Sequence, residues 1–191
     1  MADAHVPWGD SELPIHLPTN WTLQQVAQPN LTSAPADWED RLALALAKPV
    51  AGSSLRELLE EQKHGRIVFV VEDLTRHSPL NRILGVILKE IRHAGIPREN
   101  MEIVLASGMH PPMDEEEVRT KLGPHAEGIP HRMNPWHDEK AYVNLGKVHG
   151  VEVQVDRGVV EADLRILISS VSPHLQAGFG GGYKMFFPGC G

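Results

Sequence analysis

Three short polar stretches in this chain could each handle a proton or an anion, and each follows directly on an apolar run. They are Glu72-Asp73-Leu74-Thr75-Arg76-His77-Ser78-Pro79, Ser107-Gly108-Met109-His110-Pro111-Pro112 and Ser169-Ser170-Val171-Ser172-Pro173-His174. An imidazole titrates near neutral pH, so His110 and His174 suit general acid–base work. Arg76 carries a planar fork of donors that matches a carboxylate, with Asp73 and Thr75 close by in sequence. Loops are polar in any protein, which is the plain alternative for each stretch taken singly. Three of them, two with a histidine and one with Asp and Arg, argue for a site.

A second concentration lies at the end of the chain, in Ala177-Gly178-Phe179-Gly180-Gly181-Gly182-Tyr183-Lys184-Met185-Phe186-Phe187-Pro188-Gly189-Cys190-Gly191. A Walker A loop needs Gly-Lys followed by Ser or Thr, whereas here Tyr183 precedes Lys184 and Met185 follows it. The dinucleotide fingerprint fails as well, because Tyr183 stands where its last glycine is required. A flexible tail is the bland reading. Against it, Phe179, Tyr183, Phe186 and Phe187 are four of the six residues that make up the chain's 4 Phe and 2 Tyr. Gly180, Gly181 and Gly182 allow the backbone to approach a bulky ligand. A lysine among aromatics can lose its charge and become a nucleophile or attachment point, with a pyridoxal-phosphate Schiff base as one form.

The elements that must position these groups follow from periodicity. Residues 1–36, with Pro7, Pro14, Pro18, Pro29 and Pro35, read as an extended arm with one strand around Leu13–Leu17. Asp37 caps a helix reaching about Ala47, with Trp38, Leu42 and Leu46 on one face, and Ser54 caps another over Leu55–Lys63. Ile67–Val71 is a continuous apolar run, the mark of a strand buried on both faces, and Glu102–Ala106 and Leu164–Ile168 read as further buried strands. Leu80–Ala94 is an amphipathic helix ended by Gly95, and Asp114–Leu122 a short acidic one. Gly123–Asp138 reads as loop, and Tyr142–Val148 with Val151–Val155 as a strand pair around Gly150. The alternation predicts a Rossmann-like, mostly parallel α/β sheet with helices on both faces. If the three buried strands are parallel neighbours, their polar stretches share the carboxyl edge, where such sheets bind ligands.

The chain has 191 residues, 41% of them hydrophobic and 23% charged, enough for one domain or part of a larger one. Its net charge of -7 excludes the broad basic field of nucleic-acid binding. No apolar run approaches the roughly 20 residues of a membrane span. Met1–Asp10 lacks a secretory pattern. The single Cys190 excludes an internal disulfide. A cytoplasmic protein is expected. His131 and His137 flank Pro135 at a poor ligand spacing, and no metal site is assigned.

Asp73-Leu74-Thr75-Arg76, Gly108-Met109-His110 and the string from Pro173 to Lys184, closing on Pro188-Gly189, resemble the nickel-pincer lactate racemase family. Asn134-Pro135-Trp136-His137-Asp138, Val155-Asp156-Arg157 and Glu161-Ala162-Asp163-Leu164 resemble its connecting segments. The likeness runs from about Leu13 onward, and the Pro173–Lys184 string is its specific part. The family interconverts stereoisomers of lactate or related 2-hydroxy acids. It uses the nickel-pincer nucleotide, nickel pyridinium-3,5-bisthiocarboxylic acid mononucleotide. The resemblance implies covalent attachment of that cofactor at Lys184, with Asp73, Thr75, Gly180, Gly181 and Gly182 around it. It implies Arg76 at the substrate and His110 and His174 as acid and base on opposite faces. The implied route is oxidative: a histidine takes the hydroxyl proton while hydride leaves C2, and the planar 2-keto acid takes hydride back on either face. Implied partners are a small 2-hydroxy acid, the cofactor-synthesis proteins and the remainder of the same protein.

Members of that family continue past Pro188-Gly189, and their nickel-binding histidine lies beyond the position of Gly191. Residues 37–191 are therefore expected to be an incomplete N-terminal catalytic-type domain, with the C-terminal domain absent. Gly180 stands where members more often have serine. Pro111 stands where many have arginine, which implies a substrate other than lactate. The alternative to a racemase or epimerase is a catalytically silent α/β module that binds a nucleotide-like ligand or a partner protein.

Overall fold

The computed structural model describes residues 3–8, 11–26 and 32–191; Met1, Asp10 and Pro29 lie outside the described residues. The chain divides into two compact units, residues 1–36 and 37–191. The first holds an antiparallel hairpin of β1 (Asp3–Trp8) and β2 (Ser11–His16), with Asp3 opposite His16 and Trp8 opposite Ser11. Two strands stand where periodicity indicates one. Pro7 breaks the alternation of β1, yet a two-stranded ribbon tolerates proline because each strand has a free edge.

The second unit is built on four parallel strands in the order β5-β4-β3-β8: β3 (Ile67–Val71), β4 (Met101–Leu105), β5 (His131–Met133) and β8 (Leu164–Ile168). Every residue of β3 is buried, as its unbroken apolar run requires of a central strand. Successive side chains point to opposite faces. Ile67, Phe69 and Val71 meet Leu59 of α2 (Leu55–Glu61), Leu84 and Ile91 of α3 (Leu80–His93) and Val118 of α4 (Glu115–Leu122). Val68 and Val70 face the other way, toward Val159 of α5 (Arg157–Val160), Met185 and Cys190. Helices thus flank both faces, unequally: α2, α3 and α4 on one, and α5 with the 3-10 turn Gly182–Met185 on the other. Each fully buried Leu or Ile in these layers contributes about 1.5–3 kcal/mol.

Local signals set the helix ends. Ser54 and Asp114 each form a capping box, with Glu57 and Glu117. Asp37 occupies the cap position of α1 (Trp38–Ala47), but its carboxylate pairs with Arg41 instead of the helix backbone. No residue of α1 is fully buried, and Trp38 takes the Arg82 guanidinium over its ring at 4.7 Å. The strand pair forms a hairpin, β6 (Tyr142–Val148) and β7 (Val151–Asp156), turning at His149 and Gly150 with φ of 49° and 82°. The stretch Gly123–Asp138 is not all loop. It contains β5, an edge strand whose pairing with β4 needs backbone groups and no apolar pattern.

Candidate active site

The register places Val71 beside both Leu105 and Ile168, so the three strands end level. From β3 the chain crosses to β4 on one side, and β8 lies on the other. The strand order therefore switches at β3, and a crevice opens outside the carboxyl ends. That crevice is a cleft of about 620 Å³ that brings together Asp73, Thr75, Arg76, His110, His174, Gly181 and Lys184. Gly180 is buried beside it, where an added Cβ would lie 3.7 Å from the Arg76 guanidinium and 3.8 Å from the His174 ring.

Asp73 is 5% exposed, and its two oxygens are divided. Oδ1 accepts from the Thr75 backbone N–H at 3.0 Å and from the Thr75 hydroxyl at 2.5 Å. Oδ2 lies 2.6 Å from Nδ1 of His110. Burial opposes ionisation of Asp73, but the hydrogen bonds from Thr75 and His110 outweigh it and hold the carboxyl below its ordinary range. Among the described residues no ion pair joins Arg76 to Asp73 or Glu72, so its guanidinium is available to a ligand anion.

The glycine-rich end is folded. β9 (Ser172–His174) and β10 (Gly178–Gly180) form an antiparallel hairpin with His174 opposite Gly178. At its turn the backbone N–H groups of Gln176 and Ala177 donate to Nδ1 of His174 at 3.2 and 3.1 Å. Gly181 has φ of 76°, and a Cβ there would fall 1.9 Å from the Ser170 carbonyl oxygen. The Gly182 N–H donates to the Ser169 hydroxyl at 2.9 Å. These contacts seat the turn that carries Lys184 against the end of β8.

Two polar supports escape sequence reading. Glu72, 2% exposed, accepts from Ser78, from the N–H and hydroxyl of Ser170 at 2.8 Å each, and from Lys121 at 3.3 Å. Burial resists its charge, but the Ser170 N–H and the other donors prevail and keep its carboxyl below the usual value. Lys121 also donates to the Arg76 carbonyl at 2.6 Å. Asn134 accepts from the N–H and hydroxyl of Ser107 at 3.0 and 2.8 Å, fixing the start of the His110 loop. The signal for Lys121 lay in α4, where helical spacing puts it on the buried face with Val118 and Leu122. His131 lies on β5, and the His137 ring packs edge-on to Trp136. Cys190 is a core residue, its thiol pushed up to about 12 by burial and by Asp156.

Comparison with known proteins bears on this arrangement. A family model described as the lactate racemase N-terminal domain matches residues 8–191. Lactate racemase from Thermoanaerobacterium thermosaccharolyticum is 29% identical over 195 residues, covering 99% of this chain and 44% of that protein. Lactate racemase from Lactiplantibacillus plantarum is 30% identical over 156 residues, covering 79% of this chain and 35% of that protein. The chain therefore spans less than half the length of these curated relatives. The solved lactate racemase apoprotein from T. thermosaccharolyticum superposes with a TM-score of 0.80 at 27% identity, over 99% of this chain and 44% of that one. With a match reaching from residue 8 to the last residue, the chain belongs to the lactate racemase N-terminal domain family.

Proposed function

We propose that this chain is the N-terminal catalytic and cofactor-binding part of a racemase or epimerase of lactate or a related 2-hydroxy acid. The observation that carries the reading is the meeting of Lys184, Arg76, His110 and His174 in one cleft, with Asp73 behind His110. The cleft volume of about 620 Å³ lies within the range of small-ligand sites. It suits the nickel-pincer nucleotide implied by the sequence resemblance: Lys184, which lines the cleft with Gly181, would carry it. When bound, that group supplies the acceptor and donor of hydride. Among the described residues no three His, Cys, Asp or Glu side chains gather as a metal site. Arg76 binds the substrate carboxylate through paired hydrogen bonds and so orients C2 and its hydroxyl. His110 and His174 carry the acid–base work on that hydroxyl. The planar 2-keto acid formed on oxidation can be reduced on either face, which is what loss of configuration requires. Among the described residues no helix is long and apolar enough to cross a membrane. A cytoplasmic setting, where cofactor-synthesis proteins load the enzyme, goes with this reading.

The deciding experiment uses the full-length protein produced together with the cofactor-synthesis machinery. Intact and peptide mass spectrometry should find an adduct on Lys184, and a chiral assay over a panel of 2-hydroxy acids should find racemisation. An unmodified Lys184 in fully equipped cells overturns the proposal. Lys184→Ala should abolish both adduct and turnover.

A further inference from the structure

Arg76 and Lys184 stand on loops that leave different strands, and one buried carboxylate touches both of those loops. Glu72 divides its two oxygens between them. Oε1 accepts from the Ser78 hydroxyl and from Nζ of Lys121, the latter at 3.3 Å. Oε2 accepts from the N–H and the hydroxyl of Ser170, at 2.8 Å each. Each oxygen leads on to a functional side chain. On the first side, Lys121 also donates to the Arg76 carbonyl at 2.6 Å, and Ser78 closes the segment that carries Asp73 and Arg76. On the second, the Ser170 carbonyl is the floor of the glycine turn, since a Cβ on Gly181 would fall 1.9 Å from it. The neighbouring Ser169 hydroxyl takes the Gly182 N–H at 2.9 Å. Lys184 follows in the same turn, its N–H donating to the Gly181 carbonyl at 3.2 Å.

We propose that Glu72 and Lys121 are positioning residues of the site, which together set the place of Arg76, and so of the substrate carboxylate, relative to Lys184. The assignment rests on the racemase reading of the cleft. Both residues act through others: Lys121 through the Arg76 backbone, and Glu72 through Ser170. Two apolar side chains of the same volume would pack β3, α4 and β8 with less loss of hydration. What they would lack is direction. The ammonium has three donors, and the carboxylate accepts on both oxygens at once. The two loops are therefore held at one separation and not merely pressed together. That separation matters, because a misplacement of about 1 Å between reacting groups costs about 10²-fold in rate. No residue of α4 lines the cleft, yet α4 reaches the substrate-binding loop through this one side chain.

The test uses the full-length protein loaded by the cofactor-synthesis machinery. Lys121→Met removes the hold on the Arg76 carbonyl. Glu72→Gln keeps the size but cannot accept on both sides, because its amide nitrogen only donates. Leu88→Ala, a core residue of α3 outside the cleft lining, lowers stability without touching either loop. Each variant is studied below its melting transition, with the Lys184 adduct checked by mass. Calorimetry reads the binding of pyruvate, the 2-keto acid of lactate, and a chiral assay reads KM and kcat. Lys121→Met should weaken pyruvate binding and raise KM about tenfold while kcat stays within about twofold; Glu72→Gln should also lower kcat about ten- to hundredfold. Leu88→Ala should leave all three constants unchanged. Unchanged constants in folded, loaded Lys121→Met and Glu72→Gln overturn the proposal. So does the same shift in Leu88→Ala, or loss of the adduct, since the pair would then serve folding or loading. Where Lys121→Met does not fold, Glu72→Gln decides alone. A loaded wild type that binds pyruvate but racemises no 2-hydroxy acid overturns the racemase reading instead, and the pyruvate affinities still read the placement of Arg76.

Discussion

Asp73 joins chemistry to stability in one side chain. Its carboxylate orients His110 and is itself gathered by both polar groups of Thr75. Asp73→Asn keeps the size and loses the charge. The loaded enzyme should lose about 10²–10⁴ in turnover, read by chiral assay, while the circular dichroism of the protein stays unchanged. The same charge sets a pH dependence. Asp73 and Glu72 both sit below their ordinary values, so on acidification the unfolded chain binds protons before the folded one. Their stabilising effect is complete above about pH 5 and disappears as the folded carboxyls protonate, below their free values of about 3.9 and 4.3. Thermal melts from pH 7 to pH 3 should fall more steeply for the wild type than for Glu72→Gln. Asp73 was legible in the sequence as a candidate, Glu72 only as part of the same polar stretch, and the pairing of neither was. Arg76 had Asp73 and Glu72 as nearby carboxylates, and the fold gave one to His110 and the other to Lys121.

At the scale of elements, the loops after β3 and β8 are tied to α4 through one buried ion pair. Glu72 and Lys121 are 2% and 6% exposed at their side chains, and Lys121 also holds the Arg76 carbonyl. Removing the cation strands a buried carboxylate, so Lys121→Met should cost about 3 kcal/mol in urea denaturation. The double variant Lys121→Met with Glu72→Gln should cost less than the sum of the singles, which a double-mutant cycle detects. The glycine run makes a second prediction. Gly181→Ala puts a Cβ 1.9 Å from the Ser170 carbonyl at a φ of 76° and should destabilise by about 1–3 kcal/mol. Gly180→Ala puts its Cβ no closer than 3.7 Å to a neighbour and should leave the melting temperature nearly unchanged. Sequence reading marked both as cofactor glycines. Only the backbone around Ser170 separates a glycine required by space from one that is replaceable.

Across the whole second unit, the sheet separates two apolar layers, and the last residues of the chain belong to the thinner one. Cys190 is fully buried there with Val68, Val70 and Val104, and its backbone carbonyl accepts from the Asp156 N–H at 2.7 Å. With the thiol pushed up to about 12, first by burial and then by the Asp156 carboxylate, almost no thiolate exists at neutral pH. Iodoacetamide should therefore fail to label Cys190 in the folded protein at pH 7.5 and label it promptly in denaturant. Rapid labelling of the native state would show that the C-terminal turn is not packed on the sheet.

The sequence by itself determined the strands β3, β4 and β8, the main helices and the identities of the candidate groups, because these depend on local periodicity and on strings of adjacent residues; β8, read as buried, lies at the end of the four-strand order with only Ile168 buried. It also placed the polar stretches after the strands, and that is enough to predict a common edge once a parallel sheet is assumed. Tertiary structure alone decided which of those groups act together. The His110–Asp73 bond spans 37 positions, the Lys121–Glu72 pair 49 and the Ser170–Glu72 bonds 98. No local pattern encodes such pairings; they arise because the parallel register ends three strands at one level. The partner of each histidine's Nδ1 is set in the same way: Asp73 for His110, and the Gln176 and Ala177 N–H groups for His174.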